Sequence, residues 1–92
     1  MHEERAEHLL LALLDSLAAA QPTAMSEGLL HHAMNLRLAN RGQPQALLSE
    51  FEQARDLAER RRWTAGARGP TGRVRWALTP AGAAALADLA AP

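Results

Sequence analysis

Trp63-Thr64-Ala65-Gly66-Ala67-Arg68-Gly69-Pro70-Thr71-Gly72-Arg73-Val74-Arg75-Trp76-Ala77-Leu78-Thr79-Pro80 is the stretch whose period decides the fold. From Arg73 to Leu78 the apolar Val74, Trp76 and Leu78 alternate with Arg73, Arg75 and Ala77, the pattern of a strand buried on one face. Trp63-Thr64-Ala65 supplies a shorter partner strand, and the glycines and proline between Gly66 and Gly72 read as a flexible hairpin loop. Thr79 followed by Pro80 is an N-cap with proline in the first helical turn. A final helix is therefore predicted there, with Leu86 and Leu89 on its buried side.

Upstream of Trp63 the period is helical. Pro44 can open a third helix at its first position, where a missing N–H costs nothing, and Leu47, Phe51, Ala54 and Ala58 form its apolar face with help from Leu48 and Leu57. A second helix runs from Ser26 as N-cap to about Ala39, with Leu30, Ala33, Met34 and Leu38 on one side, and Asn40-Arg41-Gly42 stops it. Residues 3–20 form a first helix whose main face is Ala6, Leu9, Leu10, Leu13 and Leu17. Leu11, Leu14 and Ala18 make a second apolar stripe. Either this helix is central in the fold or the stripe meets another subunit, and the second outcome predicts a homodimer through Leu11, Leu14 and Ala18.

The chain of 92 residues is long enough for one domain, 1–92, with a modest core. It has no cysteine, so there is neither a disulfide framework nor a thiolate site, which fits a reducing, cytoplasmic setting. The formal net charge of zero hides a polarity. Residues 1–52 carry three arginines against seven carboxylates, net −4, whereas residues 53–76 carry seven arginines against Asp56 and Glu59, net +5. A basic block of this kind points to an anionic partner. All ten basic residues are arginine, which suits bidentate contacts to phosphate or carboxylate but also follows from a GC-rich coding sequence.

Other function classes find little support. The apolar run from Leu9 to Ala20 is preceded by a net acidic segment and interrupted by Asp15, unlike a secretory signal, and is too short to span a bilayer. No membrane association is expected. His31 and His32 are adjacent and diverge on a helix, and His2 and His8 lie elsewhere, so no metal site is expected. The Gly66–Gly72 loop lacks the Gly-Lys-Ser/Thr ending of a phosphate loop. No catalytic set stands out, and neither an enzyme nor a cofactor is expected. Trp63 and Trp76 read as core residues rather than stacking platforms.

Helix, helix, helix, two-stranded hairpin, helix is an order that resembles the winged-helix fold. Leu57-Ala58-Glu59-Arg60-Arg61-Arg62-Trp63 looks like a third helix running into the first wing strand. Trp76-Ala77-Leu78-Thr79-Pro80-Ala81-Gly82-Ala83-Ala84-Ala85-Leu86 is similar to the L-T-P-x-G-x-x-x-L closing segment of bacterial winged-helix regulators of the MarR and PadR type. The resemblance covers residues 23–89. It implies an α+β, mainly α winged helix-turn-helix with three helices, a two-stranded wing and a C-terminal helix, preceded within the same domain by the helix over 3–20.

The resemblance also implies binding of double-stranded DNA, with the third helix in the major groove and the wing on the backbone. By position the reading helix offers Ser49, Glu52, Gln53, Asp56, Glu59 and Arg60, and the wing offers Arg68, Arg73 and Arg75. The connection from Asn40 to Pro44 is longer than that of a compact helix-turn-helix, and Glu52, Asp56 and Glu59 repel phosphates. The expected contact set is therefore Arg60, Arg62, Arg68, Arg73, Arg75, Ser49 and Gln53, for DNA in a small transcriptional regulator. The alternative is a protein partner of a winged-helix adaptor or inhibitor that does not bind DNA.

Overall fold

The first helix determines where the other elements go. The structure, a computed structural model, describes residues 3–91, and His2 lies outside them. In α1 (Glu3–Ala20) every residue from Leu9 to Leu14 is buried, followed by Ser16 and Leu17. An unbroken buried run points in all directions around a helix axis, so α1 needs cover on every side. It receives that cover from α2 (Glu27–Asn40), α3 (Leu48–Arg60), β3 (Val74–Leu78) and α4 (Pro80–Ala90). The buried Ser16 hydroxyl donates to the Ala12 carbonyl at 2.7 Å, which removes the cost of an unpaired polar group there.

This central position is the first of the two outcomes open to the second stripe. Leu14 is fully buried, Leu11 is 8% exposed, and Ala18 packs half-buried against the core of the same chain.

Around α1 the other helices are placed by their own apolar faces. Ser26 Oγ accepts the Leu29 amide at the start of α2, and Leu30, Met34 and Leu38 fill the core beneath it. The third helix begins at Leu48, not at Pro44. Residues 43–47 are held by bonds from elsewhere: Arg5 Nη2 donates to the Pro44 and Gln45 carbonyls at 3.1 and 3.3 Å. Asn35 Oδ1 accepts the Ala46 amide at 2.7 Å, and His31 Nε2 donates to the Ala46 carbonyl at 2.8 Å. With these groups engaged by α1 and α2, the segment cannot close the first turn of a helix.

The sheet has three antiparallel strands in the order β1-β3-β2, one more than expected. β1 (Met25–Ser26) covers the outer edge of β3, with Met25 opposite Trp76 and Ser26 opposite Arg75. β2 (Thr64–Arg68) pairs with β3 from Thr64–Leu78 to Arg68–Val74. Gly66, Ala67 and Arg68 therefore belong to a strand and not to the loop. Gly66 lies directly opposite Trp76, whose ring occupies the space a Cβ would take, at 2.9 Å. Four helices with this small sheet make an α+β protein that is mainly α.

A compact junction fixes the last helix. The Thr79 hydroxyl donates to the Arg62 carbonyl at 2.6 Å and accepts the Gly82 amide at 3.0 Å, while the Thr79 amide donates to the Trp63 carbonyl at 3.0 Å. A Cβ on Gly82 would lie 2.0 Å from that same Trp63 carbonyl oxygen and 2.7 Å from Leu78 Cδ1. Glycine in the T-P-x-G segment is thus required by close approach of helix and strand. Among the described residues no helix is long and apolar enough to cross a membrane.

Arg5 joins α1 to α3 through Glu50, with Nε–Oε2 at 3.1 Å and Nη2–Oε1 at 3.3 Å. Glu50 Oε1 also accepts the Leu47 amide at 3.0 Å, satisfying one free N–H at the start of α3. The bonded Arg5 guanidinium, assisted by the Leu47 amide, holds the Glu50 carboxyl below its ordinary pKa. A carboxylate shifted downward on folding contributes stability that is complete above its unfolded value of about 4.3 and lost as pH falls through the folded value. Wild-type protein should therefore lose more thermal stability between about pH 5 and pH 3 than Glu50→Gln, as followed by circular dichroism. In urea denaturation, Gly82→Ala should cost about 2 kcal/mol from overpacking. Gly28→Ala, where a Cβ meets nothing within 4 Å, should be neutral or stabilise by about 0.5 kcal/mol.

Candidate functional site

Three of the ten arginines are consumed by carboxylates within the fold. Arg5 pairs with Glu50, and Arg37 Nε lies 2.8 Å from Asp15 Oδ2 between α2 and α1. Arg55 bonds to Glu27 and, through Nη2 at 3.1 Å, to its neighbour Asp56. The remaining arginines have no carboxylate within 4.0 Å among the described residues. All of them except Arg41 lie between the end of α3 and the middle of β3, so the free positive charge is more concentrated than the sequence alone indicates.

The base of this region is the α3–β2 junction. Arg60 is the last residue of α3, Arg61 closes it, and Arg62 adopts φ 60°, a left-handed conformation that turns the chain into Trp63. The Trp63 amide donates to the Ala58 carbonyl at 2.9 Å, and the Arg61 guanidinium lies 5.0 Å from the centre of the Trp63 ring. Arg60 and Arg62 are exposed. Trp63 is half-buried against the core, and Trp76 is buried within it, so both are packing residues.

The hairpin carries the rest. From Ala65 to Arg73 every residue except Gly69 is exposed, so the tip projects beyond the core. Arg68, Arg73 and Arg75 do not form one cluster, however. Directly opposed residues in a sheet share a face, which puts Arg75 with Ala67 and Ser26 on the outer side and Arg68 with Val74 on the side of Trp76. Arg68 Nη1 also donates to the Gly72 carbonyl at 3.0 Å, bracing the turn, and Arg73 accepts the Gly69 amide on its own carbonyl at 2.9 Å. The hairpin is thus a prong with guanidinium groups on both faces.

Ser49 and Gln53 sit where the helical period places them, exposed on the outward side of α3. That side also exposes Glu52, Asp56, Glu59 and Arg60. Three carboxylates against one guanidinium leave it acidic, and it is not continuous in charge with the hairpin.

A second arrangement could not be read from spacing. Glu27 Oε1 accepts from both Arg55 and Trp76 Nε1, the latter at 3.3 Å. The Arg55 guanidinium lies 5.7 Å from the Trp76 ring centre and 5.9 Å from that of Phe51. Partial burial acts to lower the Arg55 pKa, but bonding to Asp56 and the nearby Glu27 charge outweigh it and raise the value above its ordinary one. This network ties the start of α2, the middle of α3 and β3 together. The one signal for it in the sequence is that a buried indole N–H needs an acceptor. Beside it lies a cleft of about 240 Å³ between α2 and α3, lined by Gly28, His31, Leu48, Phe51 and Glu52 together with Glu27 and Arg55. His31 stacks on Phe51 at 4.8 Å, forming part of its wall.

No family model matches the chain, and no match is found among curated proteins or solved structures. The division between structural and free arginines is open to a direct check. Arg55→Ala should destabilise the protein by about 1–2 kcal/mol in urea, through lost packing and an unanswered Glu27. Arg60→Ala, Arg68→Ala and Arg75→Ala should each stay within about 0.5 kcal/mol of wild type.

Proposed function

We propose that this chain is a winged-helix DNA-binding protein, of the kind that serves as a small transcriptional regulator. In this reading it holds double-stranded DNA through Arg60, Arg62, Arg68, Arg73 and Arg75, the arginines of the hairpin and its base. The observation that carries the reading is the partition of arginines: Arg5, Arg37 and Arg55 in the body of the fold are neutralised by carboxylates, while six of the seven unpaired among the described residues, all but Arg41, lie on the projecting hairpin and its base. Support for the winged-helix assignment comes from the element order and from the T-P-x-G segment at the start of α4.

The contacts fall on phosphates, which position a duplex without reading it. A prong with cations on both faces can engage both walls of a groove. The outward side of α3 contributes Ser49 and Gln53, but its carboxylates make it a weak partner for the duplex. Neutralising about four phosphates gives a slope near −4 in a plot of log binding constant against log salt concentration, at about −0.9 per phosphate. Fluorescence anisotropy with mixed-sequence duplex DNA measures this. Absence of binding by folded protein at about 50 mM salt would overturn the proposal.

The acidic side of α3 favours a second reading, in which the same fold is an adaptor or inhibitor that does not bind DNA. Arg68, Arg73 and Arg75 then meet carboxylates on a protein partner. Charge reversal of all three arginines should abolish capture of that partner while DNA affinity is absent throughout. Retained capture by the reversed variant would exclude a role for the wing.

A further inference from the structure

Four large apolar side chains are exposed, two on α2 and two at the start of α3. Leu29 and Leu36 on α2 are 55% and 54% exposed, and Leu47 and Leu48 at the start of α3 are 68% and 63% exposed. Every other leucine among the described residues is buried or half-buried. Leu29 and Leu36 lie two turns apart on one side of α2. They project from the outer face of α2, whereas Gly28 and His31 share the cleft with Leu48, and the Phe51–His31 stack lies within it.

Leu47 is also at odds with local stability. It occupies the N-cap of α3, where serine, threonine, asparagine or aspartate would accept a free backbone amide and leucine cannot. Glu50 answers the Leu47 amide, but the Leu47 side chain itself caps no amide and stays largely exposed. A side chain that breaks a local rule and is not used in packing points to a contact outside the fold.

The charge beside these leucines identifies the partner's chemistry. Glu52, Asp56 and Glu59 recur at helical spacing on the outward side of α3, and Glu52 and Glu59 have no cationic partner within 4.0 Å among the described residues. From Leu48 to Glu59 this edge runs about 16 Å, roughly three turns of a helix laid along it. We infer that the α2–α3 edge docks a basic amphipathic helix of another protein, whose apolar seam meets Leu47 and Leu48 beside the cleft and whose cations meet Glu52 and Glu59. The chain's own hairpin arginines cannot serve as the occupant in cis, because the register with β1 and β3 fixes them in place. This surface adjoins the hairpin at Glu27 and Gly28 but uses different residues, and it does not depend on DNA binding.

The probe is a fluorescein-labelled helical peptide of about 18 leucines and lysines arranged with one apolar face, long enough to be helical when bound. Controls are the same design with glutamate for lysine and a scrambled leucine–lysine peptide without an apolar face. Anisotropy with the full chain should show saturable binding of the amphipathic basic peptide only. The double variant Leu47→Ser/Leu48→Ser should weaken it at least about tenfold, as expected for central apolar contacts. Glu52→Lys/Glu59→Lys should weaken it similarly. Both variants change exposed side chains, and circular dichroism melts establish that they fold. Salt-dependent DNA binding should be unchanged in the leucine variant, which separates this surface from the hairpin.

Failure of the basic peptide to bind, equal binding by the glutamate or scrambled peptide, or undiminished binding by either variant overturns the inference. So does a wild-type dimer in analytical ultracentrifugation that Leu47→Ser/Leu48→Ser converts to monomer, because a second copy would then be the occupant.

Discussion

The structure depends on one constraint: α1 must be covered on all sides. Leu9 to Leu14 leave no direction around the helix free of apolar surface, so helices and sheet have to converge on it. Burying a leucine side chain contributes on the order of 2 kcal/mol, so no arrangement that leaves one side of α1 in water competes. A small chain often places its most apolar helix at a subunit interface. Here the helix is the axis of a single chain, and the stripe of Leu11, Leu14 and Ala18 is spent on internal packing.

Building everything around one helix leaves the polar groups to determine orientation. Arg5 with Glu50, Arg37 with Asp15, and Arg55 with Glu27 each span two helices, and each fixes an angle that apolar packing alone leaves loose. Thr79 does the same for the sheet and α4 by bonding to Arg62 and Gly82 at once. The arginines left over are those for which the fold provides no carboxylate. Apart from Arg41, their segregation to the hairpin and its base is therefore a consequence of where the internal pairs lie, and the zero net charge of the chain conceals it.

Much of this was legible in the residues. The four helices, the alternation of β3, and the caps at Ser26 and Thr79 follow from period and capping chemistry, both local properties. What was not legible was non-local. β1 is two residues long, too short for an alternating pattern, and exists because Met25 and Ser26 find the free edge of β3. Pro44 has good helix-opening chemistry but is overruled by Arg5, thirty-nine positions away. Arg55 counts as part of a basic block in the sequence, yet in space it belongs to Glu27 and Asp56. Arg68 reads as a loop residue, but strand register, which the sequence does not display, places it in β2 on the face opposite to that of Arg75.

The central position of α1 also ties its shielding to distant sequence. In chain order the leucine-rich helix precedes β3 and α4, which complete its cover and begin at Val74 and Pro80. Helices α2 and α3 cover α1 only in part, and the sides that β3 and α4 cover stay open to water until those elements pack. The segment that completes this cover and the segment that presents the hairpin arginines are nearly the same, so shielding of α1 and formation of the charged prong depend on one stretch of chain.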